Sequence, residues 1–465
     1  MTANTAHAPG LGFRDGARGG RSSECNSLEL LIAGINWPPE TFLGRLIDGL
    51  TEAGVSVTVG SSNRPKERKN QVKWLPTPSW DSSVPLRLSR LARMALRANF
   101  CGRRDVKVFG RSIRRNANLR DRLEFWNQLL PYAGRRWDVI YFPWNSAAIA
   151  HLPIFDRRSP VIVSCRGAQV SVAPHNPERA EILGGLRDTF DRAAAVHCVS
   201  EATLKDACRV GLAPAKARVI RPAVDPDVFR PGPSCPDHNG IFRLVTTGSL
   251  IWRKGMEYAL SSIRTLRDRG VNVRFEIIGD GPERQRVLYT IHDLGLQDCV
   301  WLHGRLRPEE VLHRLREADA FLLSSLSEGI SNAVLEAMAC GLPVVTTDCG
   351  GMREAVTDGV EGFVVPVRDA EAMAATLLRL AGDAGLRQRM GAAARARIER
   401  EFSLKRQIAQ WLELFNAVLN KDERNDALSH DARLEDCRRA GVASADSLVR
   451  AAASNLRQND KLSTL

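Results

Sequence analysis

The stretch SSLSEGISNAVLEAMACGLPVVTTDCGGMREA, residues 324–355, decides the fold. It overlaps the end of a short apolar run, ADAFLLSS (318–325). It then sets Gly329, Ser331 and Asn332 at the start of an apolar helical segment and re-emerges as the β-branched run PVVTTD (343–348). Strand, helix and strand in that order make a βαβ unit, whose strands pair in parallel. The alternation continues in both directions. RLVTTGSL (243–250), VRFEIIGDG (273–281), CVWLHG (299–304) and GFVVP (362–366) complete one block of strands. LELLIAGI (28–35), VSVTV (55–59), DVIYFP (138–143), PVIVS (160–164), AVHCVS (195–200) and ARVIRPA (217–223) make another. The pattern predicts the α/β class with two facing Rossmann-like, doubly wound domains, residues 28–224 and 241–402. Between them DPDVFRPGPSCPDHNG (225–240), with four prolines and two glycines, reads as a linker. Ligands of such sheets bind outside the carboxyl ends of the strands, so the active site is expected between the halves. A helix over 403–420 carries the stripe Ile408, Leu412, Phe415 and Leu419, fit to dock on a domain surface. Residues 1–27 read as a disordered lead-in and 421–465 as a mobile polar tail.

Composition narrows the function classes. The 465 residues, 44% hydrophobic and 26% charged, are those of an ordinary globular protein with room for two or three domains. No apolar run is long enough to span a membrane, and the N-terminus lacks the apolar core of a secretory signal, so a cytoplasmic location is expected. The ten cysteines are scattered with no pair at two-residue spacing, which predicts free thiols rather than a zinc site. A net charge of +13 calls for an anionic partner. Residues 86–136 hold fourteen cations against three acids, nearly the whole excess. Within LRLSRLARMALRANF (86–100) arginines recur at 87, 90, 93 and 97, the pattern of a helix able to lie on an anionic membrane surface, peripheral at the inner face of the cell membrane. The competing reading is a solvated helix whose arginines pair with acids elsewhere in the fold. Nucleic acid is not expected as a partner, because the interleaved aromatics of an RNA-binding surface are missing.

Three segments of the second block carry chemistry. In TGSLIWRKG (247–255), Gly248 and Ser249 lie at a strand end, and Arg253 and Lys254 place two cations at the carboxyl edge of the sheet, where a diphosphate fits. In IIGDGPERQ (277–285), Gly279, Asp280 and Gly281 form a strand-to-helix turn open to close backbone approach, with helix amides beyond it for an anion. In the deciding segment, Ser331 or Asn332 caps the helix that follows Glu328 and Gly329 and contains Glu336, and its positive end suits a phosphate. Were the segment wholly helical, the eight residues from Glu328 to Glu336 would rise about 12 Å, more than the roughly 5–9.5 Å between two carboxylates that share one glycosidic bond. The two glutamates therefore grip different parts of one elongated ligand. Glu336, set among Ala333, Val334, Leu335, Ala337 and Met338, needs a partner. His175 and His303 are the histidines nearest the cleft loops, and no metal-ligand spacing occurs, so no metal is expected.

EGISNAVLEAMACGLPVVTTDCGG, with GSLIWRKG and IIGDGPE upstream and EGFVVP downstream, closely resembles the donor domain of glycosyltransferase family 4. These are retaining, nucleotide-sugar-dependent enzymes of the glycosyltransferase-B fold. The resemblance implies that Glu328 contacts the donor sugar, Glu336 the ribose hydroxyls, and Lys254 the diphosphate together with an arginine. That arginine usually follows the glycine at Gly248, where this chain has Ser249, leaving Arg253 as the substitute. Residues 199–231 resemble the family's strand, helix and linker pattern, with Arg221, Pro222 and Ala223 in place of the usual Asn-Gly. The acceptor half is looser. INWPPETFLG (35–44) keeps the proline pair ending at Pro39 but has Glu40 and Thr41 where two glycines normally follow. SCRGAQV (164–170) has Arg166 at the place of a histidine, before Gly167. Arg166, Gly167, Pro39 and Glu40 are thus the acceptor-side candidates, with pairing of Arg166 to a buried carboxylate as the structural alternative. The family works without a metal, so leaving-group charge would fall to Lys254, Arg253 and helix amides.

The expectation is a retaining hexosyltransferase with no cofactor, its nucleoside diphosphate sugar being a substrate. It would move the hexose to a hydroxyl of a glycan or lipid-linked acceptor in surface polysaccharide or glycolipid synthesis. A nucleotide-sugar 2-epimerase of the same architecture and a non-catalytic basic nucleotide-binding protein are the alternatives.

Overall fold

The computed structural model describes residues 27–64, 72–77, 92–96, 102–113, 118–177, 181–232 and 240–439, with side chains as far as 421. It contains two parallel sheets. The first orders its seven strands β3-β2-β1-β4-β5-β6-β7. They are β1 (Glu29–Ile32), β2 (Ser56–Ser61), β3 (Lys73–Pro76), β4 (Val139–Phe142), β5 (Val161–Cys165), β6 (Ala195–Cys198) and β7 (Ala217–Val219). The second orders its six strands β10-β9-β8-β11-β12-β13. They are β8 (Phe242–Thr247), β9 (Val273–Ile278), β10 (Val300–Gly304), β11 (Ala320–Leu323), β12 (Val344–Thr347) and β13 (Gly362–Val365). Every strand except β3 overlaps a run that the sequence marks, with β2, β5 and β8 extending one or two residues beyond theirs. β3, KWLP, is a four-residue edge strand with one buried side chain and a proline that donates nothing to a ladder, so it leaves almost no pattern to read.

The strands are apolar on both faces because both faces are covered. Leu30, Ile32, Val57, Val59, Val139 and Tyr141 pack on one side of the first sheet, and Leu31, Ile140, Phe142, Val161 and Val163 on the other. Likewise Leu244, Phe275, Ile277 and Leu322 face one layer of the second domain, and Val245, Phe321, Leu323 and Val344 the opposite one. In each sheet the chain reverses its direction of travel once, between β1 and β4 and between β8 and β11. A parallel sheet leaves a crevice at that point, beyond the carboxyl ends of the strands. The loops leaving these four strands contain Glu40, Trp144, the run Gly248 to Lys254 and the run Glu328 to Ser331.

The chain passes between the domains twice, side by side. Val224 donates its amide to Phe402 O (3.0 Å) and accepts from Leu404 N (3.1 Å). Beyond the first crossing, Phe229 is buried in the second domain's core, and Arg395 Nη1 donates to the carbonyls of Pro226 (2.9 Å), Phe229 (2.7 Å) and Ala339 (2.8 Å). That half of the segment read as a linker is therefore fastened to the second domain; residues 233–239 lie outside the described residues. The last helix, Leu404–Arg439, returns to the first domain and buries Ile408, Trp411, Leu414 and Phe415 against it, with Leu412 and Leu419 at the edge of the contact. Gly49 in the facing helix Thr41–Glu52 makes room for this, since a Cβ there would stand 2.7 Å from Ile408. The helix runs on through 421–439, within the stretch read as a tail, and 440–465 lie outside the described residues, as do 1–26.

Of the basic stretch 86–100, only 92–96 are described. They are helical, with Met94 and Ala95 against the first-domain core and Leu96 exposed. The reading of that stretch as a membrane-facing helix otherwise lies outside the described residues. Among the described residues no helix is long and apolar enough to cross a membrane, and no three His, Cys, Asp or Glu side chains gather as a metal site.

Candidate active site

Between the two carboxyl edges opens a cleft of about 870 Å³. Its first-domain wall includes Glu40, Thr41, Phe42, Arg45, Trp144, Arg166 and Gln169. The second-domain wall includes Gly248, Ser249, Arg253, Lys254, Arg305, Glu328, Gly329, Ser331, Asn332 and Glu336. Most of the residues that the sequence marks for donor binding thus face one space.

Backbone geometry shapes the second wall. The single turn Trp252–Lys254 is closed by Gly255 in the left-handed region (φ +55°), where a Cβ would lie 2.5 Å from Ser324 O. Only glycine fits there, and the close approach brings Lys254 under the loop after β11. Lys254 Nζ forms an ion pair with the Glu328 carboxylate, and Ser325 Oγ donates to the same Glu328 oxygen (2.9 Å). Ser324 Oγ donates to Lys254 O (2.8 Å), and Leu326 N to Arg253 O (2.7 Å), so both cation-bearing residues are fastened to the loop that carries Glu328. Ser331 occupies the cap position of the helix Asn332–Ala339 but makes no side-chain cap bond, and Asn332 Oδ1 is buried with no partner among the described residues. The expected cap is not made, which leaves the helix's first amides and these two side chains available to a ligand.

Gly279, Asp280 and Gly281, expected at the donor, are not among the residues lining the cleft. A Cβ at Gly279 would fall 1.8 Å from Gly248 O, and one at Gly281 would fall 2.3 Å from Leu250 O. Leu250 N also donates to Asp280 O (3.0 Å). The motif's bare backbone is filled by the neighbouring strand-end loop, whose course it sets. Pro39 and Gly167 are likewise missing from the lining. Gly167 (φ +99°) sits where the domains touch, and a Cβ on it would be 3.1 Å from Gly329 N.

Side chains govern the first wall. Arg45 Nη2 reaches across the cleft to Glu336 Oε1 (2.7 Å) while its guanidinium lies 4.9 Å from the centre of the Phe229 ring. Burial raises the Glu336 carboxyl above the usual carboxylate range, and Arg45 draws it part of the way back. Here is the partner that the apolar surroundings of Glu336 demand, supplied by the other domain. Arg166 lies over the Phe42 ring (4.1 Å) and donates to Pro143 O (3.2 Å) and Tyr141 Oη (3.0 Å). Among the described residues no carboxylate stands within ion-pair distance of it, so the buried-carboxylate alternative is not met. Burial raises the Glu40 carboxyl, and Arg166 opposes that rise. Arg45, Trp144 and Arg305 escaped the sequence reading. Arg45 is the lone cation in TFLGRLIDGL, which by itself is no signal, whereas Trp144 could have been suspected from its place at the carboxyl end of β4.

Comparison with known proteins agrees with this architecture. Residues 39–228 match the family model described as Glycosyltransferase Family 4, and residues 241–383 match that described as Glycosyl transferases group 1. The amylovoran biosynthesis glycosyltransferase of Erwinia amylovora is 38% identical over 208 residues, 43% of this chain and 51% of that protein. The N-acetyl-alpha-D-glucosaminyl L-malate synthase of Bacillus anthracis is 31% identical over 153 residues, 33% of this chain and 40% of that protein. The chain thus spans about half the length, or less, of these curated relatives. The structure of Anabaena HepE in complex with UDP and glucose superposes with a TM-score of 0.61 over 83% of this chain and 99% of that one, at 17% identity, a likeness of fold. With one family model on each domain and the glycosyltransferase-B arrangement of two facing parallel sheets, the chain belongs to glycosyltransferase family 4.

Proposed function

We propose that this protein is a retaining glycosyltransferase that moves a hexose from a nucleoside diphosphate sugar to a hydroxyl of a glycan or lipid-linked acceptor in surface polysaccharide synthesis. The observation that carries the reading is the convergence of Lys254, Glu328, Glu336 and the open first turn of the helix Asn332–Ala339 on one interdomain cleft. In this reading the diphosphate lies against Lys254, Arg253 and the helix amides, which offset the charge that grows on the leaving group. Glu336 takes the ribose hydroxyls in place of Arg45, and Glu328 faces the sugar. The acceptor enters along the first-domain wall and attacks from the face that the diphosphate leaves. The likeness to an amylovoran biosynthesis glycosyltransferase supports a polysaccharide product. The cations of residues 86–136 support docking on an anionic membrane surface, to be read as salt-sensitive sedimentation with anionic liposomes.

The test is a panel of UDP-, GDP- and ADP-hexoses assayed for slow release of the nucleoside diphosphate, followed by acceptor trials and NMR of the product's anomeric configuration. Release from one series, faster with acceptor and with retention, is expected, and EDTA should leave it unchanged. No release from any donor contradicts the reading. Interconversion of the sugar with no acceptor present would favour the epimerase instead.

A further inference from the structure

Arg166 begins a hydrogen-bonded chain that runs into the first-domain core. Its Nη2 bonds Tyr141 Oη (3.0 Å), Tyr141 Oη bonds Ser164 Oγ (2.7 Å), Ser164 Oγ bonds His197 Nδ1 (2.6 Å), and His197 Nε2 bonds Ile220 O (2.7 Å). The carbonyl end and a neutral imidazole fix the direction. Ile220 O only accepts, so His197 carries its one proton on Nε2; burial keeps the ring neutral, so Ser164 donates to Nδ1 and accepts from Tyr141, which accepts from Arg166. Trp411 of the last helix closes the chain from behind, its ring 4.8 Å from that of Tyr141 and 4.6 Å from that of His197.

This arrangement immobilises a cation with no ion pair among the described residues, although Glu40 on the same wall of the cleft feels its charge. The protein uses the Nε and one Nη2 hydrogen of Arg166, which leaves three of the five N–H groups of a guanidinium unused among the described residues. The side chain is half-buried, it lines the cleft, and no carboxylate is within ion-pair distance among the described residues. A fixed guanidinium with spare donors is a fork shaped for a carboxylate or phosphate. Its place in the cleft says which part of a ligand meets it. The backbone of Arg166 and Gly167 abuts that of Glu328 and Gly329, the loop at the sugar end of the proposed donor site, while the guanidinium lies over the Phe42 ring on the first-domain wall along which the acceptor is proposed to enter.

We infer that Arg166 is a specificity-determining residue that reads an anionic substituent, a carboxylate or phosphate, on the sugar at the point of transfer. The inference rests on the proposed function. The anion belongs either to the donor, as the carboxylate of a uronic acid, or to the end of the acceptor, and two arms of one experiment separate these sources. The first arm measures equilibrium binding of UDP-glucuronic acid against UDP-glucose and of GDP-mannuronic acid against GDP-mannose. In the second, the protein saturated with UDP or GDP is titrated with methyl glucuronide, glycerol phosphate and methyl glucoside.

A preference for the anionic ligand of about ten- to hundredfold is expected in one arm, the worth of one hydrogen-bonded charge pair. It should collapse to within about twofold in Arg166→Gln. Tyr141→Phe, which cuts the chain but keeps the guanidinium, should lose part of the preference with little change for the neutral ligand, a split that general damage to the fold would not produce. Equal binding of charged and neutral ligands in both arms, or a preference that survives Arg166→Gln, overturns the inference and leaves the proposed function standing. Failure to bind any nucleoside diphosphate sugar removes the proposed function and the inference with it.

Discussion

The second-domain wall of the cleft is set by glycines at Gly255, Gly279 and Gly281, each lying where a Cβ would meet a neighbouring carbonyl at 2.5 Å or less. Across from it, the first-domain wall is set by the reach of Arg45 to Glu336 and by the chain from Arg166 to Ile220. One wall is spaced by backbone that tolerates no side chain, with Ser324, Ser325 and the Lys254–Glu328 pair fastened onto it, and the other is set by side chains that meet only after folding. A backbone-held surface keeps its shape when a ligand leaves and suits the invariant part of a substrate. A surface held by side-chain pairs can be re-specified one residue at a time, which suits the part of the substrate that varies.

The sharpest break in this contrast would come from Lys254→Ala. If the second wall stabilises the leaving group, turnover of the donor should fall by on the order of a hundred- to a thousandfold. Arg253→Ala should cost less, and a Lys254 variant that keeps its activity would remove the diphosphate assignment. Next in size is Gly279→Ala, which places a methyl 1.8 Å from Gly248 O at φ +147°. Urea melts should show a loss of about 1–3 kcal/mol or more, accompanied by loss of nucleotide binding. Gly184→Ala, in the helix Glu181–Arg192 and with nothing within 4 Å, should instead gain about 0.4–1 kcal/mol.

A smaller effect probes the side-chain wall. Burial, with the charge of Arg166 added, lowers the His197 pKa from 6.5 to about 3. The folded state therefore declines a proton that the unfolded state takes, so His197 costs nothing above about pH 6.5, and stability is lost as the pH falls from there toward about 3. The slope is about 1.4 kcal/mol per pH unit. His197→Gln keeps a donor and an acceptor but cannot titrate, and its acid melts should lack that slope; an unchanged slope would place the titrating group elsewhere.

How much of this was legible in the sequence follows from the same contrast. The second-domain strands and the cluster Lys254, Glu328 and Glu336 could be read because glycines and β-branched runs sit at fixed places along the chain. The true work of Gly279 and Gly281 could not, because a glycine that yields to a ligand and one that yields to another loop look alike in one dimension. Arg45 and Glu336 are 291 residues apart, and His197 reads as one polar residue in the strand AVHC, so neither partnership leaves a local pattern. β3 and the fastening of Phe229 were missed for the opposite reason: proline-bearing segments announce a turn or linker whether or not they are pinned.

Calorimetric titration of a free nucleoside diphosphate into wild type, Lys254→Ala, Glu336→Gln and Arg166→Gln tests most directly whether the donor nucleotide is held by the second-domain wall alone. Affinity should fall about tenfold or more in the Lys254 and Glu336 variants and stay within about twofold in the Arg166 variant. Equal weakening in Arg166→Gln, or none in either second-domain variant, would contradict that division of the cleft.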